Sequence, residues 1–226
     1  MATRYSPRIV TDGLVFAIDA ASPRCYDGSG SVTDLVAGAE GTRQGNEGFT
    51  THFGGGWDFD GSDDCINFGN LAVANFGTGD FSAEIVFEHD FLSSWRTLMG
   101  KGASGASGWG LTTNGTDLLI DIDDGANIHL TVQTIVVGTA YHFIAVWDRS
   151  ANAIGYVNGE QKSVDSISSY SGSVSTPSKN LALGTYSAGT SWDFNGRIHL
   201  ARLYNKALTA AEVTQNFRAV KGRFGL

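Results

Sequence analysis

Hydrophobic positions in this chain come in short runs separated by clusters of Gly, Ser, Asn and Asp. "GLVFAID", "FSAEIVFEHD", "LLIDIDD", "YHFIAVWD" and "GRIHLARLY" all have strand length, and a turn signal follows nearly every such run. Asn158-Gly159 is the strongest short-range hairpin signal, and it pairs Ala153–Val157 with Gln161–Val164 antiparallel. Asn114-Gly115 repeats the device. In "FSAEIVFEHD", Phe81, Ala83, Ile85 and Phe87 share one phase; Ser82, Glu84, Glu88 and Asp90, with Val86, take the other. That alternation predicts a half-buried strand with its acids in solvent. In "YHFIAVWD" both phases are largely apolar, which predicts a central strand covered on both faces, with Trp147 in the core. Many short strands with turns between them mean an antiparallel sandwich or barrel, not a parallel sheet with crossover helices.

One segment departs from this texture. "LTAAEVTQNFRAVKG" places Leu208, Ala211, Val213 and Phe217 near helical spacing. Thr209 with Glu212 three residues on makes a capping box, and Gly222 reads as the stop. The expected organisation is an arm over residues 1–12 and one domain over residues 13–226. The domain closes with a helix over about 210–220 and a tail over 221–226. Arg223, Phe224 and Leu226 in that tail are candidate assembly residues. With no helix left to bury them, they are expected to dock on another subunit or on the domain's own edge, near the arm.

The 226 residues suit one β-rich domain and can bury a full core without a metal or disulfide. Cys25 and Cys65 are too few for a disulfide framework; they read as two buried thiols, with mutual pairing as the alternative. A formal net charge of −8 disfavours nucleic acid as a partner. The ends run against the body: Arg4 and Arg8 at one, Lys206, Arg218, Lys221 and Arg223 at the other. This is either a docking face or a set of solvated charges. The apolar runs are too short to span a membrane as a helix, and the first ten residues lack the core of a secretion signal.

The segments "FDGSDDCINFGN", "GTGDFSAEIVFEHD", "TLMGKG", "GWGL", "YHFIAVWDRSANAIGYVNGE", "LALGT" and "FNGRIHLARLYNKALTAAEV", in that order, resemble the concanavalin-A-like jelly-roll sandwiches, specifically the laminin-G-like, pentraxin-related group. The resemblance covers about residues 57 to 215. The front "GLVFAIDAASPRCYDGSG" and the tail "VTQNFRAVKGRFGL" further resemble the version carried by tailed-phage virion proteins. It implies an all-β, two-sheet antiparallel sandwich with one short C-terminal helix, and binding or structural roles rather than catalysis. It also implies a virion surface protein, in capsid decoration or a tail appendage, made in the host cytoplasm. Its partners would be virion proteins, further copies of itself and host-surface glycans. The alternatives are a lectin-like module of a non-viral or secreted protein and, third, a glycoside hydrolase.

Three constellations carry candidate chemistry. In "FDGSDDCINFG", Asp60, Asp63 and Asp64 surround a Gly61 turn. Aspartates in such a turn hydrogen-bond nearby amides, which explains the spacing without a metal. Many members of the resembled group hold calcium at the sandwich edge, and for such an ion Asp60, Asp63 and Asp123 are the candidate ligands. A calcium ion needs about six to eight oxygens. Some sandwich relatives are glucanases with a Glu-x-Asp-x-x-Glu strand motif. Here Glu88-x-Asp90 has Ser93 at the third position. Glu84 and Glu88 lie about 13 Å apart along a strand, too far for a retaining pair at about 5 Å. Finally, Trp57, Trp109 and Trp147 fall in strand motifs and read as core, whereas Trp95, Tyr170, Tyr186 and Trp192 fall in loop settings. Such rings either stack on the apolar faces of sugars or pack against a neighbouring subunit.

Overall fold

The computed structural model describes residues 8–102, 107–186 and 191–226, so residues 1–7 of the expected arm lie outside the described residues. In chain order the strands are β1 (Leu14–Asp19), β2 (Val32–Thr33), β3 (Glu40–Gln44), β4 (Gly48–Thr50), β5 (Gly56–Asp60), β6 (Cys65–Asn67), β7 (Phe81–His89) and β8 (Arg96–Gly102). They continue as β9 (Gly108–Asn114), β10 (Asp117–Asp123), β11 (Asn127–Thr134), β12 (Ala140–Trp147), β13 (Asn152–Val157), β14 (Glu160–Ser166), β15 (Leu181–Leu183) and β16 (Asn195–Tyr204). One helix, α1 (Ala210–Phe224), follows. The first sheet runs β14-β13-β12-β7-β16-β5-β4, with β1 also on β16; the second runs β11-β10-β9-β8-β15-β6-β3-β2. All the recorded pairings are antiparallel, and the apolar core fills the space between the two sheets.

The hairpin signals are realised. Asn158 and Gly159 both take positive φ (52° and 79°), as the tight turn between β13 and β14 requires. Trp147 is fully buried on β12, stacked on Phe81 at 4.3 Å and edge-on to Trp109 at 6.1 Å. Cys25 and Cys65 are separate buried thiols, both raised to about 11, chiefly by burial.

Strand β7 differs from the expected half-buried strand: all nine of its residues are buried. The cause lies above it. Helix α1 covers the outer face of the first sheet, burying Val213 with Ile144, Val146 and Tyr204, and Val220 and Phe224 with Val86 and Leu200. Glu84 therefore sits in the interior, fully excluded from solvent. Its Oε1 accepts from Arg202 (2.6 Å) and His142 Nε2 (2.9 Å); its Oε2 accepts from the Tyr204 hydroxyl (3.2 Å) and Asn216 Nδ2 (2.8 Å). Burial alone would raise this carboxyl. The Arg202 charge, His142 and the Tyr204 hydroxyl outweigh that and hold it at about 2, against an ordinary 4.5.

The helix also runs further than its sequence pattern indicates. Thr209 and Glu212 form the expected capping box. Gly222, however, is interior to the helix, and the stop is Gly225 in the left-handed region (φ 69°). A single interior glycine costs about 1 kcal/mol, and burial of Phe224 against Phe53, Val86 and Leu200 offsets it. The three tail residues are thereby committed inside the domain. Arg223 bonds Asp19 (2.6 Å) and the Phe53 carbonyl (2.5 Å), Phe224 is buried, and Leu226 packs beside it. Of the two dockings expected for these residues, on another subunit or on the domain's own edge, these contacts are with their own domain, and the helix takes in most of the segment read as a tail over 221–226. Of the arm, the described residues Arg8 and Val10 lie beside the helix, since Val10 N donates to Asn216 Oδ1 and Gln215 Nε2 donates to the Arg8 carbonyl.

Two outcomes follow. Trp147→Ala should destabilise the domain by roughly 3–5 kcal/mol in chemical denaturation; an unchanged midpoint would contradict its place in the core. Glu84→Gln should cost roughly 3–5 kcal/mol at pH 7, because it strands the buried Arg202. The folded carboxyl lies below its unfolded value. Its contribution is thus complete above about 4.5 and lost as pH falls through about 2. Melting curves of the two proteins should accordingly converge toward pH 2, and parallel curves would be inconsistent with the charge of Glu84 as the source.

Candidate functional site

The acidic turn joins β5 to β6. One carboxylate oxygen from each of Asp60, Asp63 and Asp64 lies within 4.8 Å of the others. Asp64 is buried, and both of its oxygens are engaged by backbone: Oδ1 accepts from Asn46 N (2.7 Å) and Oδ2 from Asp60 N (2.9 Å). Asp60 Oδ1 accepts from Ser62 N at 2.8 Å. Beside the turn, Asp58, Glu88 and Asp90 converge on Arg197 at 3.7, 2.6 and 2.8 Å. Asp60 and Asp64 are thus engaged by backbone amides, as in a hydrogen-bonded turn, and Asp58, Glu88 and Asp90 by a guanidinium, while Asp63 stands exposed beside them. The set Asp60, Asp63 and Asp123 is not brought together. Asp123 ends β10 opposite Gly108, at the far end of the second sheet, and accepts from Gly125 N at 2.8 Å; Asp64 takes the place expected for it.

The other constellation lies on the outer face of the second sheet. On β10 the alternating residues Leu118, Ile120 and Ile122 enter the core, so Leu119, Asp121 and Asp123 point outward. Asp121 is buried at the surface of this face. Its Oδ2 accepts from the Thr112 hydroxyl of β9 (2.8 Å), and its Oδ1 meets His129 Nδ1 of β11 (2.7 Å). The neighbouring positions Gly110 and Gly100, paired across β9 and β8, keep the floor low.

Aromatic rings stand on this floor in one row. His129 lies 4.4 Å from Trp95, Trp95 stacks on Trp192 at 5.2 Å and 24°, and Trp192 meets Tyr186 at 5.2 Å. Trp95, Trp192 and Tyr186 are each half-buried, so the row is wedged into the sheet with part of every ring at the surface. Trp192 holds a left-handed backbone (φ 60°), uncommon for a bulky residue, while its carbonyl accepts from Thr97 N at 2.7 Å. Three of the four loop aromatics singled out from sequence thus converge. Tyr170 does not: it packs against the core, and its carbonyl accepts from Arg149 at 2.5 Å. His129 and Asp121 were missed, although the outward phase of "LLIDIDD" paired with "IHLTVQ" was the signal that held them.

Among known proteins, the family model described as the Concanavalin A-like lectin/glucanases superfamily matches residues 60–214. Similar solved structures include the binding domain of botulinum neurotoxin serotype G, at TM-score 0.70 and 15% identity, covering 90% of this chain and 50% of that one. Another is domain 4 of AbnA, a GH43 extracellular arabinanase from Geobacillus stearothermophilus, in complex with arabinotriose (TM-score 0.71, 18% identity, 90% of this chain and 97% of that one). A third is Trypanosoma rangeli sialidase in complex with the inhibitor DANA (TM-score 0.68, 15% identity, 92% and 33%). The chain therefore spans about half of the toxin domain and a third of the sialidase. No curated protein matches.

For the acidic turn, Asp63→Asn keeps a side-chain acceptor and removes a charge. It should leave the melting temperature nearly unchanged, and added calcium should not raise that of the wild type. A held ion would instead stabilise the wild type by about 2.7 kcal/mol at a hundredfold excess over its dissociation constant. A calcium shift that the substitution abolishes would overturn the turn assignment.

Proposed function

The chain belongs to the concanavalin A-like lectin/glucanases superfamily, and from that premise we propose that it is a noncatalytic binding domain whose ligand is a glycan. The glycan is held over the outer face of the second sheet by Trp95, Trp192 and Tyr186. The observation that carries this reading is the aromatic row itself. Three rings from two loops far apart in sequence, before β8 and before β16, gather beside outward carboxylates and amides, on the sheet face that the helix does not cover. Ring surface takes up the C–H faces of a sugar, and adjacent polar groups take its hydroxyls. The arabinanase domain solved with arabinotriose supports the same class of ligand.

The noncatalytic part is supported on the first sheet. Glu84 is buried and fully hydrogen-bonded, and Glu88 is nearly buried against Arg197, so neither is free to act as acid or nucleophile. Display on a virion surface, through contacts with capsid or tail proteins, rests on the sequence resemblance alone and stands apart from the binding face.

Screening the domain on a glycan array, followed by calorimetry on the best ligand, tests the reading. Trp95→Ala should weaken binding roughly tenfold or more, from lost ring contact, while Tyr170→Ala should leave affinity unchanged. Absence of binding across the array, or full affinity in Trp95→Ala, would remove the glycan assignment.

A further inference from the structure

The aromatic row ends in a titratable ring. Taking the aromatic row as the binding site, we propose that His129 is a pH-sensitive positioning residue that holds Trp95 in the row when protonated and loosens it when neutral, so that ligand binding weakens as pH rises. The geometry gives His129 three contacts. Its Nδ1 donates to buried Asp121 at 2.7 Å, its ring lies against Trp95 at 4.4 Å, and its Nε2 lies 3.1 Å from Asn127 Nδ2.

Neutral His129 uses all three. Nδ1–H donates to Asp121, Nε2 accepts from the Asn127 amide, and the ring meets Trp95 as one aromatic against another. Protonation adds a hydrogen at Nε2 and turns that nitrogen into a donor. Asn127 then answers by rotating its amide to present oxygen. The Asp121 bond becomes a full ion pair, and the ring becomes a cation against the Trp95 face. Both contacts that fix Trp95 are therefore stronger in the protonated form. Thr112 holds Asp121 from the other side at 2.8 Å, so the carboxylate does not swing away to follow the change.

The groups facing His129 agree with this direction. Its hydrogen bond to Asp121 raises it above an ordinary 6.5; burial opposes this, and the charges of Asp121 and Asp123 add to the rise. Tyr186, at the other end of the row, is raised above its ordinary 10 by burial and by the same two carboxylates, so it stays neutral through the range in which His129 titrates. A group raised on folding stabilises its partners fully below its unfolded value and releases them as pH passes its folded one. The side chain is partly exposed (28%), so protons reach it directly.

Two measurements test the inference, and the first needs no ligand. In spectra of the five tryptophan indole N–H groups, the Trp95 signal, assigned through Trp95→Ala, should shift with a midpoint above 6.5. The shift should vanish in His129→Gln and move to lower pH in Asp121→Asn, which keeps an acceptor and removes the charge. His52→Gln, at an exposed histidine in the link between β4 and β5, should leave it unchanged. A Trp95 signal insensitive to pH, or a shift that survives His129→Gln, would overturn the positioning role. The second measurement is affinity for the array-selected glycan between pH 5.5 and 9, expected to fall roughly two- to five-fold in the wild type and to be flat in His129→Gln. A flat wild-type profile beside a titrating Trp95 would overturn the regulation of binding. Failure to bind any glycan would count against the site assignment, leaving the first measurement to decide on His129.

Discussion

Everything above the first sheet follows from one buried carboxylate. Glu84 carries its charge where water does not reach, and an ion so placed is tolerated only when each oxygen finds donors. Arg202 and Tyr204 on β16, His142 on β12 and Asn216 on α1 supply them. Because one donor comes from the helix, the charge is satisfied only with the helix seated. The helix in turn buries its apolar side, with Val213, Val220 and Phe224 filling the spaces around the polar centre. Asn216 also accepts from Val10 N, so the same residue fixes where the chain enters the fold.

Closing that face makes the two sheets unlike. With the helix on the first sheet, the second sheet's outer face is left to loop side chains, and the strands β8, β9 and β10 beneath them are almost wholly buried. The strand alternation that sends Leu118, Ile120 and Ile122 inward necessarily sends Asp121 and Asp123 out. The loops before β8 and β16 then bring their indoles together beside His129, the partner of Asp121, and Trp192 takes a left-handed backbone there. The buried ion and the half-buried row are two consequences of one asymmetry between the sheets.

The sequence made the strands, the Asn158-Gly159 hairpin and the capping box at Thr209 legible, because each is set by local rules. It also marked Trp147 as core, since a strand apolar in both phases has to be covered twice. It misjudged β7, where Glu84 and Glu88 read as solvent-facing. Phase tells which residues share a face but not what covers the face. Gly222 misled for a related reason: local propensity ended the helix where long-range burial of Phe224 carries it on. Among the acids, Asp64 rather than Asp123 completes the cluster with Asp60 and Asp63, because proximity there depends on which end of a strand each residue occupies. Trp95, Tyr186 and Trp192 were marked by their loop settings, whereas His129 looked like an ordinary strand residue until the β10–β11 register set it on Asp121.

Both described ends of the chain lie on the helix side: Arg8 and Val10 bind α1, and α1 itself finishes against Phe53. The aromatic row is on the opposite side of the sandwich. Tension between a load held at the row and an anchor at either end therefore runs through the thickness of the molecule, across both layers. The resisting element is the broad apolar contact between the sheets. A force along that line acts on the whole interface at once and does not peel a ladder one bond at a time. The two plates respond to such a force as a pair, through the core they share.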